Sequence, residues 1–192
     1  MLKTISLYTG AGGLDLGVEA AGFTTTVAVE IDKWACQTLR HNRARWNPIQ
    51  QDIHLVSSSE LERISGCESG EAALLVGGPP CQPFSKSAYW SNGDTHRLDD
   101  PRADTLSAYL RVLRDLKPKA FLMENVFGIT YKGKDEAINL LKRVIHNINQ
   151  VEGTNYTFSL GVINAANYGV PQTRERVFII GSREGMNFKF PL

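Results

Sequence analysis

Short apolar runs of strand length alternate with helical patterns along most of this chain, and this alternation constrains its fold more than any other feature. Runs rich in apolar or β-branched residues lie at 5–8, 24–30, 72–76 and 120–123. Helical patterns lie at 14–22, after Asp32, at 104–116 and at 135–148. This order predicts an α/β fold with a doubly wound, mostly parallel sheet, whose ligands lie at the carboxyl ends of the strands.

The carboxyl-terminal part departs from this alternation. Residues 156–163 and 176–181 form two strand-like runs without a helix between them, which predicts an antiparallel pair. With 192 residues, of which 42% are hydrophobic, the chain can bury the core of one globular domain. We therefore expect a single domain over residues 1–192.

Cysteine usage and hydropathy argue against several classes of protein. The three cysteines, Cys36, Cys67 and Cys81, are odd in number and widely spaced, so the sequence predicts neither a disulfide framework nor a zinc site. The chain opens without a charged-then-apolar leader, and no apolar run approaches the ~18 residues that span a bilayer. We expect a soluble, cytoplasmic protein with no membrane partner and no metal.

Net charge alone does not indicate a nucleic-acid-binding protein. Lysine and arginine total 21 against 20 acidic residues, so the formal net charge is +1. Contacts with a nucleic acid would have to come from a local basic patch. Two basic groups are candidates: Lys33, Arg40, Arg43 and Arg45, and nearer the end Arg174, Arg176 and Arg183. Mixed charge on a helix face is usually only solvated, so the first group is weak evidence.

A cysteine follows the third predicted strand on a stiff loop. Gly77-Gly78 lets the chain leave the strand in unusual conformations, Pro79-Pro80 then fixes φ, and Cys81 is held in one direction. A nucleophile needs such placement, but the same residues also suit an ordinary turn. The segment 82–103 has no strong periodicity, and long loops of this kind are often functional lids.

The first glycine turn and two acids suggest a nucleoside site. Gly10 and Gly12 are followed by Asp15 where a dinucleotide fingerprint requires glycine, so a phosphate cradle is disfavoured. Glu30 ends the second strand twenty residues after Gly10, a spacing that suits a carboxylate binding ribose hydroxyls. Asp52 could meet an adenine amino group. The residues alone leave open that Glu30 is merely solvated and that Asp52 merely caps a helix.

Polar residues also mark two later segments. Glu124 and Asn125 come directly after the strand at 120–123, where ligands bind in this architecture, although an ordinary strand exit would look the same. Arg174 and Arg176 precede the last strand and share a face if the segment is extended. Paired arginines of this kind suit a phosphate or a carbonyl oxygen.

Taken in order, these segments resemble the DNA (cytosine-5) methyltransferase family over nearly the whole chain. The matching pieces lie at 8–14 (YTGAGGL), 30–32 (EID), 52–53 (DI), 78–85 (GPPCQPFS), 124–126 (ENV) and 172–176 (QTRER). Two positions depart from the family pattern. Tyr8 stands where phenylalanine is usual, and Ile31 stands where tryptophan is frequent. Both changes touch the cofactor pocket.

The resemblance implies a Rossmann-like methyltransferase fold and a reaction that uses S-adenosylmethionine. Cys81 would attack C6 of cytosine, and Glu124, protonated or sharing a proton with ring N3, would stabilise the attacked base. Asn125 would orient the Cys81 loop, Arg176 would reach the base O2 or nearby backbone, and Arg174 would support the same pocket. The remaining implied residues bind the substrate (Gln82 and Ser85) or the cofactor (Tyr8, Gly10, Gly12, Gly13, Leu14, Glu30, Ile31, Asp52, Ile53, Pro80 and Leu106).

The implied partner is double-stranded DNA, from which the target base must be flipped, with the 82–103 loop as the closing element. The sequence stops at Leu192, where family members begin a target-recognition region. We therefore expect the catalytic part or subunit of a bacterial or archaeal restriction-modification methyltransferase, with a second polypeptide that carries recognition. Three alternatives stay open: a tRNA cytosine-5 methyltransferase, a nicotinamide oxidoreductase, which Asp15 disfavours, and an inactive cofactor- or DNA-binding module.

Overall fold

The structure is a computed structural model that describes residues 1–80, 104–126 and 136–191. The strands of the described residues are β1 Leu2–Leu7, β2 Phe23–Glu30, β3 Pro48–Gln50, β4 Leu74–Gly77, β5 Ala120–Val126, β6 Thr157–Asn164 and β7 Glu175–Ser182. The α-helices are α1 Gly13–Ala20, α2 Lys33–Arg43, α3 Ser58–Ser65, α4 Asp104–Leu116 and α5 Glu136–Glu152. Short 3-10 turns lie at Ala44–Trp46, Ile53–Leu55 and Ala165–Tyr168. No helix of these residues is both long and apolar enough to cross a membrane.

The seven strands form one sheet in the order β3-β2-β1-β4-β5-β7-β6. β1 pairs in parallel with β2 and with β4, β2 pairs in parallel with β3, and β6 and β7 are antiparallel. The predicted α/β fold and the predicted antiparallel pair are therefore confirmed. The strand order reverses between β1 and β4, where Leu7 lies opposite Gly77, and such a switch point is where ligands bind in open sheets.

Three elements differ from the sequence prediction. β3 and α3 were not predicted, because a three-residue strand that begins with proline and a serine-rich helix both lack clear hydrophobic periodicity. β5 continues to Val126, so Glu124 and Asn125 lie inside the strand, and the prediction that they follow it was wrong. Burial alternates along β5, which places Asn125 with Met123 on the buried face and Glu124 on the half-buried one.

The chain divides into two compact units. The first comprises Met1–Gly78 and Arg111–Leu122, and the second comprises Pro79–Leu110 and Met123–Leu192. In the first unit, Val18 of α1 packs with Leu74 and Val76 of β4, and Leu39 of α2 packs with Ala28 and Trp46. The single domain over 1–192 stays a prediction.

In the second unit, the carboxyl-terminal residues run beside the edge strand β6. Thr157 Oγ1 donates to the Met186 carbonyl at 3.3 Å, and the Phe188 N–H donates to Ser159 Oγ at 3.1 Å. The Phe190 ring occupies the place of a Gly161 side chain, because a Cβ there would lie 2.5 Å from it. The glycine of β6 therefore makes room for this aromatic ring.

Asp15, on α1, is a buried acid. It is 1% exposed, and Thr25 Oγ1 of β2 donates to its Oδ1 at 3.2 Å. Burial raises the pKa of Asp15 to about 6, against the lowering effect of hydrogen bonds from Ser6 and Thr25. Asp15, which stands where a dinucleotide fingerprint requires glycine, is thus a buried residue on the side of α1 that contacts β2.

The substitution Asp15→Asn should change how stability depends on pH. Because the folded-state pKa lies above the unfolded one, the ionised carboxylate destabilises the fold progressively from about pH 4 to pH 6, by about 3 kcal/mol in all. We expect chemical denaturation to show D15N gaining stability over the wild type as pH rises through this window and keeping that gain at pH 7. A difference that does not change with pH would contradict the assignment.

Candidate active site

The turn after β1 is held to the neighbouring strand. Tyr8, directly after β1, has a φ of 55°, and Gly10 and Gly12 have φ of 57° and 90°. Three of the five residues at 8–12 therefore have the positive φ of the left-handed region. The Thr9 N–H donates to the Val29 carbonyl of β2 at 3.2 Å, and the Gly12 N–H donates back to the Thr9 carbonyl at 3.0 Å. The turn therefore has a fixed place against the end of β2.

Glu30, the last residue of β2, is fixed by backbone donors. The Gly10 N–H donates to its Oε2 at 2.7 Å, and the Asp32 N–H donates to its Oε1 at 2.8 Å. Each carboxylate oxygen accepts one of these bonds and has capacity for another. Glu30 is therefore an oriented carboxylate that can accept hydrogen bonds from the two hydroxyls of a sugar.

The glycines of the turn have different surroundings. A Cβ on Gly12 would lie 2.8 Å from Cζ3 of the buried Trp46, so this glycine allows close packing of the turn onto the core. A Cβ on Gly10 or Gly13 would meet nothing within 4 Å. The described residues thus leave open space beside Gly10 and Gly13, where a ligand can approach the backbone.

Asp52 lies on the segment after β3 and combines two features. Its Oδ1 accepts the His54 N–H at 3.0 Å and lies 2.7 Å from His54 Nδ1, so Asp52 caps the 3-10 turn as one sequence interpretation expected. These contacts, the backbone one first, lower the pKa of Asp52. The side chain is still 44% exposed, and an ionised carboxylate at this edge can accept from an amino group.

The first basic group is engaged within the protein. Arg43 Nε lies 3.2 Å from Glu19, Arg45 pairs with the same carboxylate, and Arg40 Nη1 donates to Gln50 Oε1 at 3.2 Å. Lys33 Nζ lies over the Trp34 ring, 5.2 Å from its centre. These contacts give each of the four cations a local structural role.

In the second unit, an acid and a base pair across neighbouring strands. Arg176 Nε of β7 lies 2.9 Å from Glu124 Oε1 of β5, and the two side chains are 23% and 27% exposed. The ion pair engages one carboxylate oxygen of Glu124. Arg174 lies just before β7 and is exposed, and its backbone is anchored to Asn164 and Ala165.

Two side chains hold the backbone that leads to Cys81. Asn125 is 5% exposed, and its Nδ2 donates to the Pro79 carbonyl at 3.2 Å, while its Oδ1 accepts the Val126 N–H at 2.8 Å. Thr105, in the first turn of α4, donates from Oγ1 to the Pro80 carbonyl at 2.8 Å. Successive carbonyls before Cys81 are therefore fixed by two different elements.

Comparison with known proteins assigns the chain to a family. Residues 2–191 match the model of the C-5 cytosine-specific DNA methylase family. The chain belongs to this family. It is 41% identical to the Type II methyltransferase M.AquIA of Picosynechococcus sp. over 98% of its own length and 75% of that protein. Against the Type II methyltransferase M.SacI of Streptomyces achromogenes, the identity is 39% over 99% of the chain and 50% of the relative.

A solved structure supports the methylase fold. A prophage-encoded protein from E. coli, described as a DNA modification methyltransferase, superposes with a TM-score of 0.77 at 32% identity. The match covers 95% of this chain and 47% of that protein. The chain thus spans about half the length of this structure and of M.SacI. The resemblance predicted from the sequence is confirmed, as is the predicted class of enzyme, a DNA cytosine methyltransferase.

Most of the predicted methylase residues lie in one or the other of the two units, and some lie outside the described residues. Tyr8, Gly10 and Glu30 converge in the first unit, whereas Glu124, Asn125 and Arg176 lie in the second with the exposed Pro80 and the buried Leu106. Cys81, Gln82, Ser85 and the 82–103 loop lie outside the described residues. The roles of all these residues stay predictions. Within residues 1–80, 104–126 and 136–191, no group of His, Cys, Asp or Glu could hold a metal ion.

Sequence reasoning missed Thr105 and Trp46. Thr105 follows Asp104 at the start of a clearly predicted helix, where a hydroxyl that can donate to a preceding loop is common. Nothing in the local sequence indicates that Trp46 lies under Gly12. The two residues are 34 positions apart, and their contact depends on how the 3-10 turn at Ala44–Trp46 packs against the turn before α1.

Matched glycine substitutions should separate the packing role of the turn from its open side. Gly12→Ala places a Cβ 2.8 Å from Trp46 Cζ3 at a φ of 90°, so we expect a loss of about 1–3 kcal/mol in unfolding free energy. Gly13→Ala, in the first turn of α1 with free space around it, should be neutral or slightly stabilising. Urea denaturation of both variants checks this, and equal losses would contradict it.

Proposed function

We propose that this chain transfers a methyl group from S-adenosylmethionine to C5 of cytosine in double-stranded DNA, with Cys81 as the nucleophile. The observation that carries the proposal is the Glu124–Arg176 pair at 2.9 Å, together with the Asn125 contact to the Pro79 carbonyl, two residues before Cys81. An acid, a cation and a held nucleophile loop are the groups that covalent attack on a pyrimidine requires.

The residues of the first unit fit S-adenosylmethionine. In this proposal, Glu30, held by two backbone N–H groups, accepts from the ribose hydroxyls, and the exposed carboxylate of Asp52 accepts from the adenine amino group. The space beside Gly10 and Gly13 admits a ligand close to the backbone. We assign the remaining contacts to residues at the same turns and to the α4 segment: Tyr8, Gly12, Leu14, Ile31, Ile53, Pro80 and Leu106.

In the proposed chemistry, the cytosine ring is activated before it receives the methyl group. The Cys81 thiolate forms a bond to C6 while Glu124, protonated or sharing a proton with ring N3, stabilises the negative charge that develops at N3, so C5 becomes nucleophilic. When bound, S-adenosylmethionine would supply the methyl group from its sulfonium to C5, with neutral S-adenosylhomocysteine as the leaving group. Loss of the C5 proton to a base and cleavage of the sulfur–C6 bond restore the aromatic ring and free Cys81.

Arg176 and Arg174 complete the proposed base pocket. Arg176 donates through Nε to Glu124 and through Nη1 to the Glu175 carbonyl at 2.8 Å, and we assign its Nη2 to the O2 of the base or to a phosphate. The target base must leave the helix, which costs a few kcal/mol. We assign contacts with the flipped nucleotide to Gln82 and Ser85, and closure of the site to the 82–103 loop.

Target recognition, in this proposal, depends on polypeptide outside the 192 residues. This part of the proposal is supported by how much of each relative the chain covers, which is 50% of M.SacI and 47% of the prophage-encoded structure. A second polypeptide that carries a recognition region would supply sequence specificity and much of the DNA affinity, which agrees with a net charge of +1 here. We infer that the reaction takes place in the cytoplasm of a bacterial cell as part of a restriction-modification system, an inference that the bacterial Type II relatives support.

Covalent trapping tests the reaction. A duplex with 5-fluorocytosine in many sequence contexts blocks loss of the C5 substituent, so the Cys81 adduct should accumulate in the presence of S-adenosylmethionine and appear by intact-mass analysis. Cys81→Ala should abolish it, while Cys36→Ala, at a buried cysteine, should not. A recognition subunit from a related system should raise the yield.

The outcomes separate the candidate functions. Adduct formation at Cys81 with an RNA carrying 5-fluorocytosine, and not with DNA, would reassign the substrate. Absence of an adduct with either nucleic acid, with and without the recognition subunit, would contradict the proposed chemistry. Full activity and sequence specificity of the chain alone would contradict the need for further polypeptide.

Arg176→Lys should impair the reaction more than it affects the fold. Lysine keeps the positive charge but has a single nitrogen. It therefore cannot contact Glu124 and the base through separate nitrogens, as a guanidinium can. We expect the adduct yield to fall at least about tenfold, while unfolding free energy changes by about 1 kcal/mol or less, as for other partly exposed pairs. Arg183→Lys, one residue beyond the end of β7, is the control, and equal effects of the two substitutions would contradict the role of Arg176.

A further inference from the structure

Arg111, on α4 in the first unit, directs its guanidinium at main-chain carbonyls. Its Nη2 donates to the Ile53 carbonyl at 2.9 Å and to the Val56 carbonyl at 3.1 Å, and Nη1 donates to Ser58 Oγ at 3.3 Å. The Asp115 carboxylate, one turn along the helix, lies 4.0 Å away and accepts from Ser58 at 2.7 Å. Arg111 thus uses its fork to hold a backbone segment more than to pair with a carboxylate.

The held segment is the 3-10 turn that carries Asp52. The turn has two internal hydrogen bonds, from Leu55 N–H to the Asp52 carbonyl at 2.9 Å and from Val56 N–H to the Ile53 carbonyl at 3.2 Å. A single 3-10 turn has poor hydrogen-bond geometry, so contacts from outside determine its position. Ile53 and Val56 are buried beside Arg111, whereas Leu55 is 72% exposed.

We propose that Arg111 is a positioning residue for the base of the cofactor. By fixing the carbonyls of Ile53 and Val56, it sets the place of Asp52, the acceptor assigned to the adenine amino group. This inference rests on the proposed function. Only a planar guanidinium can hold both carbonyls and Ser58 in this arrangement, and a lysine ammonium cannot span them.

A comparison of two ligands separates positioning from general stability. S-adenosylhomocysteine carries the adenine amino group, and S-inosylhomocysteine has a carbonyl oxygen in its place. For the wild type, calorimetry should show a preference of about tenfold or more for the adenosyl ligand, the effect of one charge-assisted hydrogen bond. Arg111→Met should weaken adenosyl binding about tenfold and inosyl binding by less than about twofold, so the preference collapses.

Arg114→Met is the matched control. Arg114 lies on the same helix and pairs with Asp115 at 3.0 Å, but it is 53% exposed and its contacts do not include the turn. It should keep the wild-type preference. Arg111→Lys, which retains the charge and most of the side chain, tests whether the planar guanidinium is needed. We expect its ratio of adenosyl to inosyl affinity to be close to that of Arg111→Met.

Hydrogen exchange without ligand gives a second readout. The amides of His54, Leu55 and Val56 donate within the turn and should exchange about tenfold faster in Arg111→Met than in the wild type and Arg114→Met. Equal weakening of both ligands, or an unchanged preference with unchanged exchange, would overturn the inference while leaving the proposed function intact. If the wild type binds neither ligand, the proposed function fails and the cofactor role of Arg111 fails with it, even where exchange still shows that Arg111 holds the turn.

Discussion

Parallel pairing of β1 with both β2 and β4 is the constraint on which the candidate site depends. Parallel strands end at the same edge of a sheet, so the segments that leave Leu7, Glu30 and Gly77 begin side by side. The strand order reverses between β1 and β4, and ligands of open α/β sheets bind at such a switch point. The turn at 8–13 and the loop that begins at Gly78 therefore start next to each other because of topology, whatever their own sequences.

Irregular backbone at such an edge has few regular hydrogen bonds, and this molecule supplies partners from side chains. Glu30 accepts from the N–H groups of Gly10 and Asp32, and Arg111 donates to the carbonyls of Ile53 and Val56. In the second unit, Asn125 and Thr105 hold the carbonyls of Pro79 and Pro80. Each contact satisfies a backbone hydrogen-bonding group and also fixes the position of a residue proposed to bind or react. The conformational entropy of these segments is therefore lost during folding and not during ligand binding.

Hydrophobic periodicity was enough to predict β1, β2, β4, α4 and the antiparallel pair, because apolar patterns dominate their local sequence. It could not predict that β5 continues through Glu124, because the partner of this acid, Arg176, comes from a strand some fifty residues further along the chain. The basic residues at 33–45 were also ambiguous, because the pairing of Arg43 and Arg45 with Glu19 depends on the packing of α1. Motif order identified the family, whereas the residues that hold the motifs in place, such as Thr105 and Arg111, lie between motifs and were found only through their contacts.

The Glu124–Arg176 pair shows how stability and function can be distinguished at such positions. Both side chains are about one quarter exposed, and ion pairs of this exposure contribute about 1 kcal/mol or less to folding. Apolar residues on the same face of β5 and β7 would stabilise the sheet at least as well. Stability therefore does not explain why an acid and an arginine stand together here, whereas the proposed reaction, which needs an oriented carboxyl group beside a fixed cation, would explain it.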